Sequence, residues 1–242
     1  MTITTSLKVL VSGFGPYGNT TINPSLAVVE KLQTIPIINQ GDTSIEIVSR
    51  RVSSEFNKCI QEICSFIDVF HPDAVIMLGE YPGRAMVTIE RVAINYNDST
   101  RYGMRDEAGY APQGTAVVED GPAAYFSTLP LRKIVTELRA SGIPADISDS
   151  AGTLMCNHLL YGALHHVNTA IINKKQSVIP VGWIHLPALP ETAAKEENLG
   201  MPSMTAELSA QAVLVAIRQS VSNDSLMRGA DIDVPVKSRL LV

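Results

Sequence analysis

No stretch of this sequence is strongly basic, and no long run carries one sign of charge. Lysine and arginine total 19 against 24 aspartate and glutamate, a formal net charge of −5. Binding a phosphate backbone needs a basic patch, so the charge pattern argues against nucleic acid as the main partner. No run of about 18 apolar residues is present either, which excludes a hydrophobic membrane-spanning helix. The chain does not open with a cationic segment followed by an apolar core, so the cytoplasm is the expected location and no membrane partner is expected. Cysteine is scarce and odd in number: Cys59, Cys64 and Cys156. That is not the framework of a small secreted scaffold. Three reduced thiols in a reducing compartment are expected instead. Cys59 and Cys64 are five apart, not the two-residue gap of a redox or zinc pair. Both fall on an amphipathic segment and read as core or boundary residues. Repeats and low-complexity linkers are absent as well.

What remains is a chain of 242 residues with 45% hydrophobic and 18% charged side chains, enough to bury a large core. Leu7 to Phe14 is a short apolar run that ends in Gly-Phe, a buried strand entering a glycine-rich loop. Pro24, after Asn23, opens a segment of helical period. Strands are expected at 45–52, 74–78, 87–95, 145–148 and 177–186. Helices are expected at 56–70, capped by Ser53 or Ser54, and at 129–140, 151–167 and 204–220. The Gly/Asp-rich stretch 97–121 has no clear period, and a stretch that long is usually functional or mobile. Strands and helices alternate. The pattern predicts one α/β domain over residues 1–242, three layers deep, with a mixed, largely parallel central sheet flanked by helices. The tail after about residue 222 is polar and expected to be loosely held.

Cys156 sits near the expected start of a helix, in SAGTLMCNHLLYGALHH. Helix N-terminal amides favour a thiolate, the form a nucleophile needs. Most free cysteines are simply small buried apolar residues, and position alone would favour that reading. A thiolate also needs a base. Of five histidines, His185 stands at the C-terminal end of VIPVGWIHLP, the strand edge where open α/β sheets place ligand sites. A hydrogen-bonded core histidine is the bland alternative. Glu90, inside the apolar run TIERVAIN, is a carboxylate that must be paired if buried, either to orient a histidine or in a salt bridge with Arg84 or Arg91.

Five segments together resemble the pyroglutamyl-peptidase I family of cysteine peptidases: SGFGPYGNTTINPS, GEYPGR with TIERVAIN, EDGPAAYFSTLP, SAGTLMCNHLLYGALHH and GWIHLPALPE. They occur in the family's order across most of residues 7–190. The resemblance implies a triad of Glu90, Cys156 and His185 that hydrolyses the amide after an N-terminal pyroglutamyl group, with no metal and no cofactor. It implies peptides with that blocked N-terminus as partners, a homotetramer as assembly, and an aromatic clamp for the lactam at Phe14 and Tyr17, with Asn23 in the same loop. Three features depart from the family, one of them Tyr17, which stands where the family usually has phenylalanine. The loop usually written Gly-Gln-Ala-Gly-Gly-Arg reads Gly79-Glu80-Tyr81-Pro82-Gly83-Arg84, so Glu80 stands where the family has a neutral amide. The arginine that supports the oxyanion site falls on Arg101 only with a shift of one residue. Two other readings keep the scaffold: the same triad acting on a different cap, suited to Glu80, or a catalytically silent binding protein. A nucleoside-phosphorylase-like enzyme would need a basic phosphate cradle, which is missing.

Overall fold

The computed structural model describes residues 5–18, 20–173, 178–222 and 235–238. Eleven strands are β1 (Thr5–Phe14), β2 (Ile37–Gln40), β3 (Thr43–Val52), β4 (Ala74–Glu80), β5 (Val87–Glu90), β6 (Val92–Ile94), β7 (Asn97–Asp98), β8 (Gln113–Thr115), β9 (Ala124–Phe126), β10 (Ala145–Ser148) and β11 (Val181–Leu186). The α-helices among the described residues are α1 (Pro24–Gln33), α2 (Phe56–Phe70), α3 (Leu131–Ala140), α4 (Met155–Ile172), α5 (Pro190–Ala193) and α6 (Ala206–Ser220).

Seven strands form the central sheet in the order β10-β5-β11-β4-β1-β3-β2. Pairing is parallel except at β11–β5 and β2–β3. The apolar runs of β1, β4 and β11 are buried on both faces, as strands inside a helix-covered sheet must be. Alternate residues serve alternate layers. Ala74, Ile76 and Leu78 pack with α1, α3 and α6, and Val75 and Met77 pack with α2 and α4. The result is the three-layer α/β arrangement expected.

The local differences have physical causes. The segment 87–95 is not one strand. Glu90 ends β5 in the central sheet, and after Arg91 the chain leaves to pair as β6 with β9. Neither Ser53 nor Ser54 caps α2. Its N-cap is Glu55, and the orphan amide of Phe56 is taken instead by the Asp106 carboxylate at 3.0 Å, from 50 residues away. Helix α4 begins at Met155, not Ala151, because Gly152 adopts φ 81° and Thr153 exchanges bonds with Asp98. The stretch 97–121 is organised by the β7–β8 ribbon and a 3-10 turn over Thr100–Tyr102. Most of the tail after residue 222 lies outside the described residues. The described 235–238 segment touches α3 and β10, where Lys237 O accepts from Arg139 and Ser238 donates to Asp146. Among the described residues, no helix is long and apolar enough to cross a membrane.

Candidate active site

Gly79, Glu90 and His185 meet at the C-terminal end of β4 through strand register. His185 on β11 lies opposite Gly79 on β4, and Trp183 lies opposite Glu90 on antiparallel β5. The two-residue period puts Gly79, Trp183, His185 and Glu90 on the face covered by α4. Cys156 descends onto this face as the second residue of α4. A Cβ on Gly79 would collide with the Trp183 ring and come within 3.1 Å of Cys156 Sγ. Only glycine leaves room for the sulfur and the indole together.

His185 is 2% exposed and Glu90 is fully buried. Nδ1 of His185 lies 2.6 Å from Oε1 of Glu90, so the imidazole donates there and Nε2 is left for another partner. The same oxygen accepts from Arg84 Nη1 at 2.9 Å, and Arg84 also holds Thr88 and Ser148. Both sequence readings of Glu90 are therefore met by one carboxylate, which orients a histidine and forms a buried ion pair with Arg84. Ring edges fix the imidazole further, Tyr81 at 5.3 Å and Trp183 at 5.6 Å between centroids.

Tyr81, Cys156 and His185 border a cavity of about 730 Å³. Phe14, Tyr17, Glu80, Tyr81, Cys156 and His185 line one region of its wall. Of the five histidines, only His185 reaches it. His158 turns away, its Nε2 bonded to Phe56 O at 3.0 Å, and His165 and His166 engage Tyr125 and Asp68. Met104 and Arg105, from the irregular stretch, line it as well.

The sequence-predicted residues divide by position. Phe14 is buried with its ring 5.7 Å from Trp183. Tyr17 and Glu80 both line the cavity. Asn23 lines the cavity, but its amide is already engaged: Oδ1 accepts from Ser25 N, capping α1, and Nδ2 donates to Gly15 O. Arg101 is not brought into this group. It lies exposed on the 3-10 turn with its guanidinium 5.5 Å from the Tyr102 ring, and Arg105 is the arginine that borders the cavity. Trp183 was missed, although it precedes His185 by two in a strand and so shares its face. Arg84 was considered only as a possible ion-pair partner.

The electrostatics pull against one expectation. Burial, reinforced by the Glu90 charge, pushes the Cys156 thiol above the ordinary range. The thiol's own backbone amide, in the first turn of α4, opposes this only in part. Desolvation thus works against the thiolate that the helix position alone favours. Cys59 is likewise pushed up to about 12 by burial. Among the described residues, no cluster of three or more histidine, cysteine or acidic side chains could hold a metal ion.

Known proteins share this arrangement of elements. The profile of the family described as pyroglutamyl peptidase matches residues 7–223. The pyrrolidone-carboxylate peptidase of Mycobacterium marinum is 46% identical over 235 residues, covering 97% of this chain and 99% of that one. The crystal structure of Bacillus amyloliquefaciens pyroglutamyl peptidase I superposes with a TM-score of 0.78 at 34% identity, covering 88% of this chain and 96% of the other. The pyrrolidone carboxyl peptidase of Thermococcus litoralis gives 0.78 at 32% identity over 89% of this chain and 93% of its own. With a profile spanning most of its length and relatives this close, the chain belongs to the pyroglutamyl peptidase family and is a cysteine-type omega-peptidase.

Proposed function

We propose that this chain hydrolyses the amide bond after an N-terminal pyroglutamyl residue, with Cys156 as nucleophile, His185 as base and acid, and Glu90 as the group that orients the imidazole. The observation that carries the reading is the 2.6 Å bond from His185 Nδ1 to Glu90, made beside a cysteine that lines the same cavity. With Nδ1 committed to the carboxylate, Nε2 is the nitrogen available to take a proton.

In this reading the thiol proton leaves as the sulfur attacks. Sγ bonds to the pyroglutamyl carbonyl carbon, the thiol proton passes to His185 Nε2, and the carbonyl oxygen becomes an oxyanion. Backbone N–H groups in the first turn of α4, that of Cys156 included, have no intrahelical acceptor and are suited to hold it. The C–N bond then breaks, and the imidazolium returns its proton to the departing amine. Water, deprotonated by the same histidine, releases pyroglutamate from the thioester. Phe14 and Tyr17 offer flat apolar surface to a small ring.

The test is release of a chromophore from a pyroglutamyl amide by the full chain, before and after iodoacetamide, with Cys156→Ala as control. Release that both treatments abolish supports the reading. Turnover that persists in Cys156→Ala removes the thiol mechanism. No release from folded protein with an alkylatable Cys156 points to a different acyl group.

A further inference from the structure

Glu80 is the last residue of β4, beside the glycine that faces Cys156 Sγ. It lines the cavity, yet its side chain is buried, with a residue exposure of 9%, and Oε2 has no hydrogen-bond partner. Among the described residues Glu80 joins no ion pair. Its titratable surroundings are Tyr17 from the loop after β1, Cys156 from α4, His185 from β11 and Tyr81 next in the chain. Arg105, Asp106 and Glu107 border the cavity too, but they are engaged by Gly109 O, by the Phe56 and Tyr110 amides, and by Arg51. Among the described residues none of these cations is paired with this carboxyl. Leaving water without a counter-charge disfavours the ion, and a buried acid responds by keeping its proton. Burial raises the carboxyl accordingly, and the Tyr17 hydroxyl opposes this only in part.

We propose that Glu80 serves this site as a neutral carboxylic acid and thereby selects an uncharged five-membered ring over a cationic one. The inference rests on the pyroglutamyl reading above and deepens it. A lactam carries an N–H donor and a C=O acceptor on one edge, and a neutral acid offers an O–H donor and a C=O acceptor in return. An N-terminal prolyl ring has the same size but carries an ammonium. An ionised Glu80 would reward that ammonium with a charge-assisted bond, and a neutral Glu80 does not. The glutamate therefore does not bring a charge to a site built for a neutral amide. It replaces one neutral donor–acceptor pair with another.

Pyroglutamyl and prolyl amides of one chromophore, assayed across pH with wild type, Glu80→Gln and Glu80→Leu, test this. The wild-type KM for the pyroglutamyl amide should be flat at low pH and rise about tenfold, or 1.4 kcal/mol, as Glu80 ionises at higher pH. Glu80→Gln should flatten that curve, and Glu80→Leu should raise KM about tenfold at every pH. The wild-type minus Glu80→Gln infrared difference spectrum should show a neutral carboxylic acid at pH 6.5. A carboxylate band there, a KM that falls as pH rises, or prolyl turnover approaching the pyroglutamyl rate overturns the proposal. Absence of pyroglutamyl turnover at every pH overturns the underlying functional reading. The infrared band reports the state of Glu80 independently of that.

Discussion

Arg84 and His185 approach the same atom. Nη1 of the arginine and Nδ1 of the histidine lie 2.9 and 2.6 Å from Oε1 of Glu90, and Oε2 has no partner. A fully buried carboxylate is tolerable only with such compensation. The guanidinium therefore sets where the carboxylate stands, and the carboxylate sets where the imidazole stands. Arg84 is therefore expected to act through Glu90, as a positioning residue.

Replacing Arg84 with Met should leave a buried, uncompensated charge and cost roughly 3 kcal/mol of stability, read from urea unfolding. Turnover should fall through kcat, with KM little changed, because the loss bears on the histidine and not on the ring pocket. Lysine should restore part of the stability. It cannot reach Thr88, Glu90 and Ser148 together, as the planar guanidinium does. Wild-type stability in Arg84→Met would show that the ion pair is dispensable.

Gly79→Ala should disable the site from beneath. The added methyl meets the buried Trp183 ring and crowds Cys156 Sγ. Overpacking of this kind costs about 1–3 kcal/mol, and the sulfur must shift away from the β11 edge. A lower melting temperature together with loss of pyroglutamyl-amide turnover is the expected pair of results. Full turnover would mean that Trp183 can yield.

Much of this was legible in the sequence, for reasons that can be named. The runs of β1, β4 and β11 are apolar on both faces, so they stand out without any period. Glu90 was conspicuous because a carboxylate in an apolar run must find a partner. What was hidden depends on the third dimension. Strand β2 is an exposed antiparallel edge with one buried residue, Ile38, and carries almost no apolar signal. The break at Arg91 separates two sheets inside a continuous extended sequence. The cap of α2 comes from Asp106, too far along the chain for any local pattern. Arg101 was placed by counting from a motif, and a 3-10 turn takes it outward. For Cys156 the helix position is visible in the sequence, and the desolvation that opposes a thiolate is not.

That last point predicts an alkylation profile. A preformed thiolate reacts with iodoacetamide at a rate nearly independent of pH. A thiol raised by burial reacts slowly at neutral pH, and its rate climbs about tenfold per pH unit until it ionises. Cys156 should follow the second course, continuing to climb past pH 9, with inactivation tracking its modification by mass spectrometry. Cys59, with no exposed surface, should remain unlabelled in the folded protein. A flat rate from pH 6 to 8 would restore the thiolate.

His158 gives a stability prediction whose sign follows from its surroundings. It is buried between α4 and the start of α2, with Nε2 on Phe56 O and the Phe56 ring 4.9 Å away. Burial lowers it from 6.5 to about 4, and the bond to the Phe56 carbonyl opposes this only in part. The folded state therefore binds this proton less readily than the unfolded chain. Its contribution is fully present above pH 6.5, drains away as the pH falls, and levels off below about 4. The gap corresponds to roughly 3 kcal/mol across that window. Urea unfolding at pH 7 and pH 4.5 should show a loss of this order in wild type, over and above that in His158→Gln. The glutamine variant starts from a lower stability, having lost a buried ring, but its pH slope should be shallower because the group that resists protonation is gone. Equal slopes in the two proteins would place the acid sensitivity elsewhere and leave His158 a packing residue alone.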